Sequence, residues 1–192
     1  MKTNKIGQYQ QDEVIDGCVQ SVLQYQKALY NHFAPKMFGL CLRYAKDYHT
    51  AEDILQEGFV KVFKYIKNFR KEGSLEGWLR RIFINTAIEH FRKAVRVYPI
   101  LDDEETEIDI EDEYYDLLDS EDLIKMVQQL SPGYRTIFNL YAVEGYSHKE
   151  IAKLLGISEG TSKSQLARAR TLLKKMVEEA DSLPGSASAS SR

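Results

Sequence analysis

An all-α fold is predicted by three features of this 192-residue sequence. Apolar residues recur at three- and four-residue spacing instead of alternating, only four prolines occur (Pro35, Pro99, Pro132 and Pro184), and Ser or Thr stands where helices should begin. With 43% hydrophobic and 29% charged residues, the chain has apolar content for one medium or two small domains with ordinary cores.

From Val14 to about Asp47, pairs such as Val19, Leu23, Leu40 and Tyr44 predict helices broken near Pro35. Thr50 is the expected cap of the next helix, with Asp53 answering from the third position and Ile54, Leu55, Phe59, Val62, Phe63 and Ile66 on one face. The loop RKEGSLEG leads into a helix from about Gly77 to Val95. After Pro99 an acidic segment with little periodicity reads mainly as a linker, and helical pattern resumes from Glu121 to Leu130. Three helix starts then follow: Ser131 with Pro132 at the first helical position, the capping box Ser147-x-x-Glu150, and Ser158 before a helix reaching about Met176. Gly156 stands where the middle of these helices must stop, and the tail DSLPGSASASSR reads as unstructured.

The formal net charge of −3 hides a split. Residues 102–122 hold thirteen Asp and Glu and no Lys or Arg, so the remainder sums to +10. Residues 147–176 hold seven Lys and Arg against two acids, and residues 68–96 hold seven against three. Two basic stretches flanking an acidic one point to phosphate-bearing partners.

The first of these stretches, SHKEIAKLLGISEGTSKSQLARAR, has the organisation of a helix-turn-helix: a capped helix of about eight residues, a Gly-bearing turn and a longer helix. Ile151, Leu154, Leu155 and Ile157 would pack the pair, and Leu166, Ala169, Leu173 and Met176 would be the buried stripe of the second helix. Lys163, Ser164, Ala167 and Arg168 would then face outward near its N-terminal end, where a recognition helix enters the major groove. In the other stretch, Arg81, Asn85, Glu89 and Arg92 share one helix face, and Leu79, Ile82, Phe83 and Phe91 the opposite one. Basic residues among Phe69, Trp78, Phe83 and Phe91 suit single-stranded nucleic acid, since rings stack bases while cations follow phosphates; on spacing alone, each of these rings reads first as core.

The motifs TAEDILQEGFVKVF, GWLRRIFINTAIEHFRK and GYSHKEIAKLLGISEGTSKSQLARAR together resemble an extracytoplasmic-function sigma factor of bacterial RNA polymerase, over about residues 12–178. The resemblance implies a polymerase- and −10-binding domain over 12–97, an acidic linker over 98–120, a −35-binding domain over 121–178 and a disordered tail over 179–192. It implies core RNA polymerase as partner, through the β′ clamp helices and the β subunit, together with promoter DNA and an anti-sigma factor. The first motif would put Asp53, Gln56 and Glu57 against the clamp helices. Asp53 is also explained by a cap, whereas Gln56 and Glu57 have no such local explanation. The second motif would capture the melted −10 strand, with Asn85 and the loop Phe69 to Gly77 holding an extruded base and Arg80, Arg81 and Arg92 holding backbone. The third would dock at the −35 element through His148, Lys149, Lys163, Ser164, Gln165 and Arg168. Against the commoner family pattern GTVKSRL, Ser162 here replaces an apolar residue and Gln165 an Arg, so base-by-base specificity does not carry over. The acidic linker would thread the polymerase, where carboxylates can occupy surfaces built for RNA and DNA, or would serve as a solvating spacer.

The other classes fare less well on the residues. A stand-alone helix-turn-helix regulator would need dimer symmetry for half-sites, and here a second basic and aromatic element fills the other domain. A di-metal bundle needs Glu-x-x-His pairs, but Glu89 and His90 are adjacent and no HExxH occurs, so no catalytic residue, metal or cofactor is expected. Cys18 and Cys41 lack CxxC spacing and read as buried reduced thiols. No apolar run reaches the roughly 18 residues of a membrane span, and the polar start lacks a signal-peptide core, so a cytoplasmic address without membrane insertion is expected.

Overall fold

The computed structural model describes residues 5–97 and 121–181; the acidic linker and the residues after Asp181 lie outside that set. The described chain is almost wholly helical and divides into two units near His90.

The N-terminal unit opens with an element that the polar start gave no reason to expect. Strands β1 (Lys5–Ile6) and β2 (Tyr9–Gln10) pair antiparallel around Gly7, whose φ of +60° suits glycine in a tight turn. Ile6 is buried and Tyr9 meets Tyr25 edge-on at 5.1 Å, so the hairpin is fastened by side chains more than by its short ladder. Helix α1 (Gln11–Val19) buries Val14, Ile15 and Cys18. Two residues past its end, Ser21 takes φ +60° and turns the chain toward the next helix.

Helix α2 runs unbroken from Leu23 to Tyr44 with Pro35 inside it, so the break expected near Pro35 falls at residues 20–22 instead. An interior proline costs about 3 kcal/mol because it lacks the N–H that the preceding turn would bond. The carbonyl left without its donor belongs to Asn31, an exposed residue, where water can take the donor's place. On the opposite face Leu29, Phe33, Met37, Leu40, Cys41 and Tyr44 are all buried. At roughly 1.5–3 kcal/mol for each fully buried apolar side chain, that stripe outweighs the proline.

Helix α3 (Tyr48–Tyr65) starts three residues earlier than Thr50 would place it. The cap is Asp47, whose carboxylate accepts from the Thr50 amide at 2.8 Å and the Thr50 hydroxyl at 2.6 Å. These bonds hold the Asp47 carboxyl below its ordinary range. Asp53 therefore plays no part in the cap. The expected face is borne out: Ile54, Leu55, Phe59, Val62 and Ile66 are buried and Phe63 half-buried. Helix α4 (Leu75–Val97) begins where Ser74 accepts from the Gly77 amide at 3.0 Å. It packs on α3 at Gly58, where the Phe83 ring fills the space a side chain would need.

In the C-terminal unit, α5 (Glu121–Gln129) buries Leu123 and Val127 and is followed by buried Leu130. Buried Arg135 donates to the Leu130 carbonyl at 2.7 Å, closing the end of α5 from within α6 (Pro132–Phe138). A π turn over Asn139–Val143 leads to α7 (His148–Leu155), which carries the full capping box between Ser147 and Glu150 and stops at Gly156 with φ +73°. Ser158 accepts from the Thr161 amide at 2.9 Å to start α8 (Glu159–Asp181), which continues past Met176. Ile151, Leu155, Leu166, Ala169 and Leu173 form the buried seam of the helix pair.

Candidate nucleic-acid interface

The exposed side of α3 carries one stripe. His49, Asp53, Gln56 and Val60 follow at four-, three- and four-residue steps, all exposed, and Val60 keeps 66% of its surface. An apolar side chain left that open between carboxylate and amide groups suits a protein surface, which helical spacing alone does not reveal for Val60. Glu57 does not belong to this stripe. His90 Nε2 lies 2.8 Å from Glu57 Oε2, and Lys61 Nζ donates to Glu57 Oε1 at 3.0 Å, to Glu89 Oε2 at 2.8 Å and to Thr86 Oγ1 at 3.2 Å. Burial alone would raise the Glu57 carboxyl; the bonds and charges of Lys61 and His90 outweigh it and hold the group below its ordinary value. The local explanation denied to Glu57 in the sequence is thus an α3–α4 cross-link, and the one granted to Asp53 is absent.

The loop before α4 walls a cavity of about 440 Å³. Phe69 and Trp78 line it with ring centroids 5.5 Å apart, and Asn68, Ser74 and Arg81 add polar groups. The rings of this stretch therefore divide. Phe83 and Phe91 are core, whereas Phe69 and Trp78 are half-buried and open onto the cavity. Lys71 in the loop takes φ +59°, which costs an L-residue on the order of 1 kcal/mol. Its ammonium is tied to Asp12 of α1 at 2.8 Å. Along α4, Arg81, Asn85 and Arg92 are exposed on the face opposite Leu79 and Phe83, and Arg80 is half-buried.

On the helix-turn-helix, Lys149 and Lys163 are exposed, and Ser164 and Arg168 are half-buried. Ser164 Oγ donates to the Thr161 carbonyl at 3.2 Å. His148 is half-buried, its Nδ1 3.0 Å from Ser162 Oγ and its ring stacked on Tyr141 at 4.6 Å. Gln165 does not face outward. It keeps only 4% of its surface, because residue 165 falls on the same side of α8 as Ser162, Leu166 and Ala169. Its Oε1 is buried without a hydrogen-bond partner among the described residues. A buried acceptor left unpaired costs about 1–3 kcal/mol, so Gln165→Met is expected to raise stability by about 1 kcal/mol, read in a denaturant melt. The same variant should bind duplex DNA within about twofold of wild type, whereas a loss of tenfold would return Gln165 to the contact set.

Burial, followed by the charge of Lys163 and opposed by Glu159, holds the His148 imidazole below its ordinary value. Its folded pKa thus lies under the unfolded value of about 6.5, and the unfolded chain takes the proton first. Stability from this group is complete above about pH 6.5 and is lost as pH falls through the folded pKa. Thermal melts between pH 7.5 and 5.5 should show wild type more stable than His148→Gln at the upper end, with the gap narrowing downward. Glu57, Asp47 and Glu150, all held below their ordinary values, lose stability only in the separate window below about 4.5.

Among the described residues no three His, Cys, Asp or Glu side chains gather as a metal site. Cys18 and Cys41 are buried free thiols, pushed by burial to about 11 and about 12, which leaves both unreactive at neutral pH. No described helix is long and apolar enough to cross a membrane.

Residues 29–97 match sigma-70 region 2, and residues 120–173 match sigma-70, region 4. The ECF RNA polymerase sigma factor SigE of Mycolicibacterium smegmatis is 32% identical over 152 residues, 76% of this chain and 59% of that protein. The RNA polymerase sigma-H factor of Pseudomonas aeruginosa is 33% identical over 170 residues, 82% of this chain and 84% of that one. Among solved structures, the sigma factor RpoE of Bartonella quintana, in complex with the anti-sigma factor NepR, aligns with a TM-score of 0.48 at 23% identity, over 79% of this chain and 96% of that one. With region 2 over the α3 stripe and the cavity residues, region 4 over the helix-turn-helix, and a relative above 30% identity across four-fifths of its length, the chain belongs to the extracytoplasmic-function sigma factors, the promoter-specificity subunits of RNA polymerase.

Proposed function

We propose that this chain binds core RNA polymerase, directs it to promoters with separate −35 and −10 elements, and helps to melt the DNA there. Its work is binding and strand separation, without catalysis of its own. Residues 12–97 would serve as the polymerase- and −10-binding domain, 98–120 as the linker and 121–178 as the −35-binding domain. The observation that carries the reading is the cavity walled by Phe69 and Trp78 with Arg81 at its edge, on the same unit as the exposed Asp53–Gln56–Val60 stripe. Two rings and a cation around a space of that size fit an extruded base and its phosphate. Arg80, Asn85 and Arg92 would follow the melted strand. Lys149, Lys163, Ser164, Arg168 and His148 would hold the −35 duplex. Asp53 and Gln56 would meet the β′ clamp helices, with Glu57 acting from behind through His90 and Lys61. An anti-sigma factor is the regulator the family implies, and the cytoplasm the compartment. The stand-alone regulator gives way because the region 2 match gives residues 29–97 a role in transcription initiation that it leaves unexplained.

The test is reconstitution of the full chain with core polymerase and mapping of transcript starts over genomic fragments. Specific starts absent with core alone are expected, and Asp53→Lys with Gln56→Lys should abolish them by weakening holoenzyme assembly at least tenfold. Initiation no better than core alone on every fragment would overturn the reading.

A further inference from the structure

The departure at position 162 has a structural partner. Ser162 has no exposed surface, and its hydroxyl meets His148 Nδ1 at 3.0 Å, the sole side-chain bond it makes among the described residues. A fully buried hydroxyl leaves no donor unpaired when it gives its proton to the acceptor within reach. For Ser162 that acceptor is Nδ1 of His148, an arrangement that requires the tautomer with the ring proton on Nε2. Tyr141, presented by the π turn, stacks on the imidazole at 24° between planes, and Arg170 lies 5.5 Å from the centre of that Tyr141 ring. These contacts fix the ring plane as the Ser162 bond fixes its rotation. Nε2, on the far edge of a half-buried ring, bonds nothing among the described residues.

His148 is the first residue of α7, the leading helix of the helix-turn-helix. In this motif the leading helix crosses the DNA backbone while the second helix enters the groove. We propose that Ser162 is a positioning residue for promoter binding, holding His148 in the tautomer that offers Nε2–H to a phosphate oxygen of the −35 duplex. The inference rests on the proposed function and adds to it a residue inside the recognition helix that never touches DNA. Burial lowers the affinity of this ring for a second proton in the free chain.

The test uses the full chain in holoenzyme on a promoter fragment found by start mapping. His148→Ala is expected to weaken binding about tenfold, the worth of one hydrogen bond to a charged acceptor, Ser162→Ala about fourfold, as the ring divides between two orientations and two tautomers, and Ser162→Thr to stay within about twofold. The double variant should lose no more than His148→Ala alone, because Ser162 acts only through that ring. Two readouts separate positioning from packing. Nitrogen-15 spectra of the His148 ring should show Nε2–H in wild type and a tautomer mixture in Ser162→Ala. Single methylphosphonate substitutions along the −35 backbone should reveal one phosphate whose neutralisation weakens wild type, weakens Ser162→Ala less, and leaves His148→Ala unchanged. Wild-type affinity in Ser162→Ala, or a proton on Nδ1 in wild type, would overturn the inference while leaving the sigma-factor reading intact. Failure of wild-type holoenzyme to bind any fragment would instead strike the function itself.

Discussion

Gly58→Ala is expected to destabilise the N-terminal unit by on the order of 2–3 kcal/mol, where the same change at an open helical site would stabilise it by up to about 1 kcal/mol. The sign reverses because of Phe83. A Cβ at position 58 would lie 2.2 Å from Cε1 of that ring, and Phe83 is fully buried, so the ring has nowhere to swing. The ring is also held edge-on by Phe59 at 5.2 Å, which ties the clash to the centre of the α3–α4 packing. For a unit of this size the loss corresponds to a fall in melting temperature of about 10 °C or more. Gly39→Ala supplies the control, since a Cβ there meets nothing within 4 Å and should leave stability unchanged or improved. Gly58→Ala combined with Phe83→Leu should lose less than the sum of the two single changes, because the smaller side chain vacates the space. A Gly58→Ala protein that melts with wild type would mean that α3 and α4 do not pack at this point.

What the sequence made legible follows from how local each signal is. Ser147 with Glu150, Gly156, and Ser131 with Pro132 are written within four residues, and each stands where it was expected. So do the buried stripes of α3 and α8, because helical periodicity needs only one helix to be read. The misreadings come where the deciding contact is not written in the local pattern. Pro35 is carried through α2 by the apolar face on its opposite side. Glu57 meets His90 thirty-three residues later, and Gln165 is buried although its type is mostly exposed in proteins. Asp47 takes the cap expected of Thr50, and Asp53 has no part in it, because capping depends on which residue leaves the helical conformation and several nearby Asp and Thr compete for it. The cavity combined both kinds of information. Its basic and aromatic composition was visible in the sequence, but spacing could not say that Phe69 and Trp78 open outward while Phe83 and Phe91 turn in. Only contacts across α3 and α4 decide that.

Trp78→Ala is the variant expected to damage initiation most while sparing assembly with polymerase. Extruding a base costs a few kcal/mol, and stacking on an aromatic ring returns roughly 1–3 kcal/mol per base. Removing the larger of the two rings that line the cavity should therefore lower open-complex formation by about 10- to 100-fold on duplex promoter. Trp78→Phe keeps a stacking face and should recover most of that loss. Core-polymerase affinity should stay within about twofold in both, because Trp78 lies on the loop side of α4 and the Asp53–Gln56–Val60 stripe lies on α3. Template already melted over the −10 element removes the cost of strand separation but still needs a base to be held. Trp78→Ala should thus recover partly, not fully, on such a template, and Arg81→Ala should resemble it with a shallower dependence on salt, since one phosphate contact is lost. Truncating a half-buried tryptophan also costs stability, so rates must be compared at a temperature where melts show every variant folded. Under that condition, open-complex formation by Trp78→Ala within twofold of wild type would make the ring a packing element and leave the cavity without a base to hold.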